Sequence, residues 1–381
     1  MSKRYEFEKK NLIEPGAQSY KSRNETADIA FELSSEGEFQ RIKFLIDDLL
    51  KDKDFKCELI FCSPSVETTI LSLYEKYPDQ IRYYRLTNLL RGEGFLKRWI
   101  SAKTLIMVQY DFFPQLLSLR NKMEKMILIS PKDKKVSFYK SWCFSFFDLF
   151  LTDQDSEHKI INSKKQIVGS LRELAILDRK NKAREVLCNA LPWFDEFEKK
   201  VLRNSDRKII FGNYWHDEFS NIDLGEVPTV DDVLVIVPHE LDSIQDKKIM
   251  EDFLGVSRVT ESEEPDYAKN VFLFSVKGIL CELYQYFDLA YVGGGFKKNV
   301  HSLLEPFIAG CFCVCGENVN KSNEYKLIME QDPQRIEISS NLQIEPLIEK
   351  TMTMKKKSIQ SFNNTSWYRE FKEYLSSTIE K

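Results

Sequence analysis

The stretch 288–316, DLAYVGGGFKKNVHSLLEPFIAGCFCVCG, constrains the fold of this chain more than any other. A short apolar run, 289–292, has the length and content of a buried strand. Three glycines follow, Gly293, Gly294 and Gly295, then a polar segment and a helix expected to start near Ser302. A second apolar run, 311–315, ends at Gly316. Strand, glycine turn, helix and strand make one parallel crossover unit. Glycines after the first strand let a ligand approach the backbone, and a helix N-terminus beyond them favours an anion. Glu305 falls in the first turn of that helix, where a carboxylate can accept hydrogen bonds from two neighbouring ribose hydroxyls. The same spacing suits a plain tight turn with a helix-capping acid, so the pattern by itself leaves both readings open.

The alternation continues along the chain. Residues 28–34 read as a first buried strand, followed by Ser35-Glu36-Gly37-Glu38 and a helix with Phe39, Ile42, Leu45 and Leu49 at helical spacing. Further strands are expected at 56–63, 102–108, 125–130, 147–152, 208–211, 233–237 and 270–275. Strands separated by helices argue for parallel sheets covered on both sides. With 381 residues, 43% of them hydrophobic, the chain can bury two cores.

A net charge of −4 gives no reason to expect a nucleic-acid partner. The eight cysteines show no metal-ligand spacing, and Cys311, Cys313 and Cys315 alternate along one strand face as small core residues of a reducing compartment. Asp153-Gln154-Asp155 looks like a metal-binding pair, but it leads into a helix-like segment that Asp155 or Ser156 is placed to cap. Neither a metal nor a cofactor is expected. The opening MSKRYEFEKKN lacks the apolar core of a secretory signal, and no run is long enough to cross a bilayer. Lysines gather at Lys132, Lys134 and Lys135, where with Tyr139 and Trp142 they suit a phosphorylated partner.

The glycine stretch resembles the donor-binding segment of the Kdo transferases, which move 3-deoxy-D-manno-octulosonic acid (Kdo) from CMP-Kdo onto lipid A precursors. Tyr291, the three glycines, His301, Leu304, Glu305, Pro306, Gly310 and Gly316 match; Asn299, Val300, Ser302 and Glu317 depart. The resemblance runs in order from about residue 28 to about residue 325. Glu38 falls on the glutamate of the family's SxGE motif, which implies a general base, and Asp111 stands where the family has a second glutamate. Pro238-His239-Glu240 matches a branch with PHE, whereas Asn213 and Tyr214 replace the serine and threonine of its GST motif.

The resemblance therefore implies a donor site of His239, Gly278, Gly293, Gly294, Gly295, His301, Glu305 and Glu324. It implies an acceptor site of Ser35, Lys43, Ser63 and Ser65, with Glu38 and Asp111 catalytic. The implied fold is α/β of the GT-B type, two Rossmann-like domains with parallel sheets facing a central cleft. The acceptor domain would span 1–170, a helical connection 171–207 and the CMP-sugar domain 208–357. A C-terminal helix, 358–381, would pack back on the first domain. The implied reaction is an inverting, metal-independent displacement by a protein held at the cytoplasmic face of the inner membrane. Two alternatives stay open: a GT-B enzyme using another nucleotide sugar, and a nucleotide- or glycan-binding paralogue without turnover.

Overall fold

All strand pairings in the two main sheets are parallel. The computed structural model describes residues 26–87, 93–109, 112–131, 136–154, 156, 158–320, 322–354 and 366–379. The chain divides into two units, 1–175 with 363–381, and 176–362.

In the first unit, β1 (Ile29–Leu33), β2 (Cys57–Phe61), β3 (Ile81–Arg85), β4 (Thr104–Val108), β5 (Lys125–Ile129), β6 (Leu149–Thr152) and β7 (Lys165–Val168) form one sheet. Its order is β3-β2-β1-β4-β5-β6-β7, so the order reverses between β1 and β4. Helix α1 (Glu36–Leu49) leaves β1, α2 (Phe138–Phe144) joins β5 to β6, and α3 (Leu171–Asn181) contains the boundary between the units. Strands such as β1, β2 and β4 are buried along their whole length, as strands in a sheet covered on both faces must be.

Strand β3 was not visible in the sequence because IRYYR carries two arginines. Both are neutralised locally. Arg82 donates through Nε to Glu58 Oε1 on β2 at 2.9 Å, and Arg85 Nε donates to Glu67 at 2.7 Å. Glu58 is fully buried and also accepts from the amides of Ser101 and Ala102.

In the second unit, the main sheet takes β8 (Arg207–Tyr214), β10 (Asp232–Pro238), β11 (Ser257–Val259), β12 (Val271–Phe274), β13 (Leu289–Val292), β14 (Phe312–Cys315) and β15 (Ile336–Ile338). Its order is β11-β12-β10-β8-β13-β14-β15, while β9 (Ile222–Asp223) and β16 (Leu342–Gln343) pair separately. Successive residues point to opposite faces. Ile210, Val233, Val235, Phe272 and Ala290 enter one core, and Ile209, Phe211, Leu234, Ile236 and Tyr291 the other.

Helix α4 (Leu304–Ala309) links β13 to β14, and α5 (Asn323–Gln331) follows β14. Helix α4 starts two residues later than the sequence suggests. The Glu324 carboxylate accepts from the Leu303 and Leu304 amides at 2.8 and 3.1 Å, which sets the first turn there.

The last helix, α6 (Ser366–Ile379), belongs to the first unit. Trp367 packs over Gly169, and Tyr368 and Lys372 both donate to Asp48 at 2.8 Å. The helix after β6 spans Lys159–Asn162 with His158 as its cap residue, so Ser156 does not cap it; instead Ser156 Oγ accepts from the His158 amide at 3.1 Å. Asp155 lies outside the described residues.

Candidate functional site

In a doubly wound sheet, ligands meet the carboxyl ends of the strands where the strand order reverses. In the second unit that point lies between β8 and β13. The glycine turn sits on it. The Gly293 amide donates to Gly212 O at 2.9 Å, and a Cβ on Gly293 would lie 2.0 Å from the Asn213 carbonyl oxygen. Only glycine permits this approach. Gly294 adopts φ +94, and Asn213 adopts φ +52, a left-handed conformation that asparagine tolerates. Gly295 packs its backbone against that of Gly316, where a Cβ would meet Gly316 N at 2.6 Å.

The amides of this turn are already engaged. Glu218, 1% exposed, accepts from Gly294 N at 3.0 Å, from Phe296 N at 3.5 Å and from the Tyr291 hydroxyl at 2.6 Å. The start of α4 is occupied by Glu324 in the same way. Two internal carboxylates thus take donors that the sequence pattern offers to an anion. Sequence reasoning missed Glu218, because the two acids in HDEF look alike until one is buried.

Above the turn, aromatic and basic side chains converge. His239 stacks between Trp215 and His301, with ring centroids 4.3 Å apart on each side. Trp215 Nε1 donates to His301 Nε2 at 3.3 Å, which requires that nitrogen to be unprotonated. Lys298 Nζ lies 3.5 Å from the centre of the Trp215 ring, a cation–π contact. Burial, then His239 and Lys298 beside it, bring the His301 imidazole down to about 4. His239 is also lowered, chiefly by burial and next by Lys298, against the pull of Glu240. Both imidazoles are therefore neutral at physiological pH, and Lys298 is the permanent positive charge among them. Trp215 and Lys298 were not among the residues anticipated for the site.

Gly278 and Glu305 lie in a neighbouring cluster. Gly278 adopts φ +85, and its carbonyl accepts from Arg179 at 3.0 Å, while the same guanidinium forks onto Glu282 at 2.6 and 2.7 Å. Glu305 is half-buried within the electrostatic reach of Arg179 and Tyr284. The Tyr284 hydroxyl is buried, finds no hydrogen-bond partner among the described residues and lies 2.0 Å from where a Gly212 Cβ would be. A separate cavity of about 330 Å³ opens at the opposite end of this sheet, between Ile209, Leu289, Phe312, Arg335 and Met352, and none of the candidate residues lines it.

In the first unit the order reverses between β1 and β4. Ser35 caps α1 by accepting from the Glu38 amide at 3.3 Å, and Glu38 reaches back to accept from Ser34 N at 2.5 Å. This reciprocal arrangement is a capping box in outline. It also holds Glu38, 8% exposed, at the carboxyl end of β1. Ser34 Oγ donates in turn to Glu32, a fully buried carboxylate on the central strand.

Gln109, following β4, and Ser130, following β5, adopt φ +67 and +48. Non-glycine residues held there mark strained backbone, which gathers at functional sites. Ser130 donates to Asp153 at 3.2 Å. The protein around Asp153 pushes its carboxyl up, against Arg41, Ser130, Ser170 and Arg172, though its own exposed surface lets water soften the shift.

The anticipated acceptor residues follow neighbouring strands or lie on α1. Ser63 and Ser65 share a hydroxyl contact of 2.9 Å in the turn after β2, whereas Lys43 pairs with Asp47 one helical turn on. Asp111 lies outside the described residues. Among the described residues, no three histidine, cysteine, aspartate or glutamate side chains come together as a metal site would require.

No family model matches the chain. A bifunctional glycosyltransferase/methyltransferase of Fusobacterium nucleatum is 23% identical over 267 residues, which are 65% of this chain and 40% of that protein. A 3-deoxy-D-manno-octulosonic acid transferase of Rickettsia felis is 20% identical over 273 residues, 68% of this chain and 57% of that protein. The chain thus spans only 40 to 57% of the length of these relatives.

Among solved structures, UDP-GlcNAc 2-epimerase from Neisseria meningitidis matches with a TM-score of 0.52 at 11% identity, over 92% of this chain and 99% of that one. The wall teichoic acid polymerase TagF matches with a TM-score of 0.50 at 12% identity, over 99% and 97%. The fold is GT-B-like, two seven-stranded parallel α/β sheets.

Proposed function

We propose that this protein is a glycosyltransferase that moves Kdo from CMP-Kdo to a lipid A precursor by an inverting displacement. The reading is carried by one observation. His239 and His301, picked out by their motifs 62 residues apart in sequence, stack on one another beside the glycine turn at the point of strand reversal. The distant likeness to a 3-deoxy-D-manno-octulosonic acid transferase supports the choice of sugar.

In this reading the second unit holds the donor. Lys298 supplies the charge that meets the single phosphate and stabilises it as it leaves. The neutral imidazoles of His239 and His301 offer hydrogen bonds to the nucleotide. Glu305 takes the ribose hydroxyls, beside a Gly278 carbonyl fixed by Arg179. The first unit supplies Glu38, which takes the proton of the attacking hydroxyl, with Asp111 and Asp153 orienting the acceptor. Hydroxyl oxygen bonds to the anomeric carbon as the bond to the phosphate oxygen breaks, and CMP departs with that electron pair.

The test is incubation with CMP-Kdo and a lipid A precursor, followed by mass analysis of the lipid, with UDP-hexoses in parallel. A precursor heavier by one or more Kdo residues supports the reading; transfer only from a UDP-sugar replaces it. The bond from Ser34 N to Glu38 favours a second reading, a binding paralogue in which that glutamate only caps its helix. Glu38→Gln separates the two: turnover falling by at least about a hundredfold with unchanged folding excludes the paralogue.

A further inference from the structure

Helix α2 in the first unit is apolar on two sides. Its inner side is packed: Cys143 and Phe144 are buried, and Phe144 meets Phe112, Phe150 and His158 at ring distances of 5.8, 5.8 and 5.0 Å. Its outer side is open. Phe138 is 91% exposed, Trp142 49% and Tyr139 48%, and these are the only exposed aromatic side chains among the described residues. They form one patch, since Phe138 and Trp142 are four residues apart, Tyr139 lies 6.0 Å from Trp142, and Trp142 sits edge-on to Phe146 at 4.8 Å.

The patch is held rigidly. Ser137 caps the helix, and the Tyr139 hydroxyl donates to Phe112 O at 3.1 Å. Solitary exposed apolar residues are ordinary, but a rigid cluster of phenylalanine, tyrosine and tryptophan costs solubility unless something covers it.

The surrounding charge says what covers it. Lys140 lies on the same helix, and Lys159 is exposed on the next helix, which packs against α2 through His158. In sequence, residues 131–140 carry four lysines and one aspartate, within a chain whose net charge is −4; Lys132, Lys134 and Lys135 lie outside the described residues. Amphipathic aromatic rings flanked by lysines suit the boundary between acyl chains and anionic headgroups. Among the described residues no helix is long and apolar enough to cross a membrane.

We propose that the outer face of α2, with Phe138, Tyr139 and Trp142, is the surface by which this protein docks on an anionic lipid bilayer. The rings enter the interface to headgroup depth and Lys140 and Lys159 remain at the phosphates. This deepens the reading of a lipid acceptor and rests on it for the choice of a bilayer, but it needs neither CMP-Kdo nor turnover.

The test is sedimentation of the full chain with vesicles of phosphatidylethanolamine and phosphatidylglycerol, against vesicles of phosphatidylcholine alone. Binding to the anionic vesicles is expected, weakened by salt. The pair Phe138→Ser with Trp142→Ser is expected to lower the partition coefficient by at least about tenfold. Leu254→Ser, at an apolar residue 93% exposed in the second unit, is expected to leave it unchanged. Thermal unfolding of each variant establishes that it is folded.

Wild-type protein that ignores anionic vesicles overturns the proposal, as does a folded double variant that binds as well as wild type. So does a wild-type dimer that the double substitution splits while vesicle binding persists, because the face would then belong to a second copy of the chain. Loss of vesicle binding with intact transfer to a detergent-dispersed acceptor supports the docking surface and leaves the transferase reading standing. Vesicle binding without any transfer condemns the latter alone.

Discussion

His301 offers a measurement that reads the site without substrate. Its imidazole is brought from an ordinary value of 6.5 to about 4 by burial and by His239 and Lys298. Because the ring is only partly buried, solvent screening reduces this to a preference of about 1–2 kcal/mol for the neutral ring in the folded protein. The sign follows from linkage: a group whose folded value is depressed contributes stability that is complete above its unfolded value and lost as pH falls. The loss should begin near pH 6.5 and be complete just below about 4. The Trp215 N–H bond goes with it, since a protonated His301 has no lone pair to accept. Urea unfolding of wild type and of His301→Gln, followed by tryptophan fluorescence between about pH 7 and about pH 4, isolates this group, because carboxylates titrating in both proteins cancel in the difference. The difference in unfolding free energy should change by about 1–2 kcal/mol across that window, wild type losing more. Parallel curves would refute the buried neutral stack.

Other substitutions reach different parts of the structure. Lys298→Gln should weaken CMP binding by roughly tenfold or more in calorimetry, because one charge-assisted contact to phosphate is worth about 1.5–3 kcal/mol, while leaving the unfolding midpoint nearly unchanged. Glu218→Ala should cost about 3 kcal/mol of stability in denaturant titration, since the donors of Gly294, Phe296 and Tyr291 lose a buried acceptor. Gly169→Ala should lower the thermal midpoint of the first unit, because the new methyl would stand 2.0 Å from Trp367 Cδ2 and force the ring off its seat, at a cost of about 1–3 kcal/mol.

Much of the fold was legible in the sequence because parallel strands buried on both faces leave uninterrupted apolar runs, as within β4, β10 and β13. Strands that deviate from this rule were hidden. IRYYR conceals a strand because its arginines find carboxylates on β2 and on the helix after it, and no local pattern announces that pairing. At the site, the glycines and histidines stood out because their roles depend on residue type at fixed spacing. Glu218, Trp215 and Lys298 did not, since each gains its meaning from neighbours distant in sequence: Tyr291 and Gly294 for the first, His301 for the second, Trp215 for the third. Helix α4 began late for a related reason, its first amides being bound by an acid twenty residues on.

Those two internal carboxylates change how the glycine turn should be understood. A turn of this kind, followed by a helix, attracts an anion when its amides point to solvent. Here Glu218 and Glu324 occupy donors of the turn and of α4, so negative charge is already in place when a ligand arrives. A phosphate approaching the same backbone would meet two carboxylates, and their repulsion must be offset by a cation close at hand. Lys298 fills that position, held over Trp215 by an aromatic face that needs no acidic partner. Neutral His239 and His301 fit the same logic, because a charged imidazole beside Lys298 would be expelled from the stack. The turn is rigid framework, with Gly293 in backbone contact with Asn213 and Gly295 against Gly316, and under the proposed function recognition of a nucleotide's charge would pass to side chains above it.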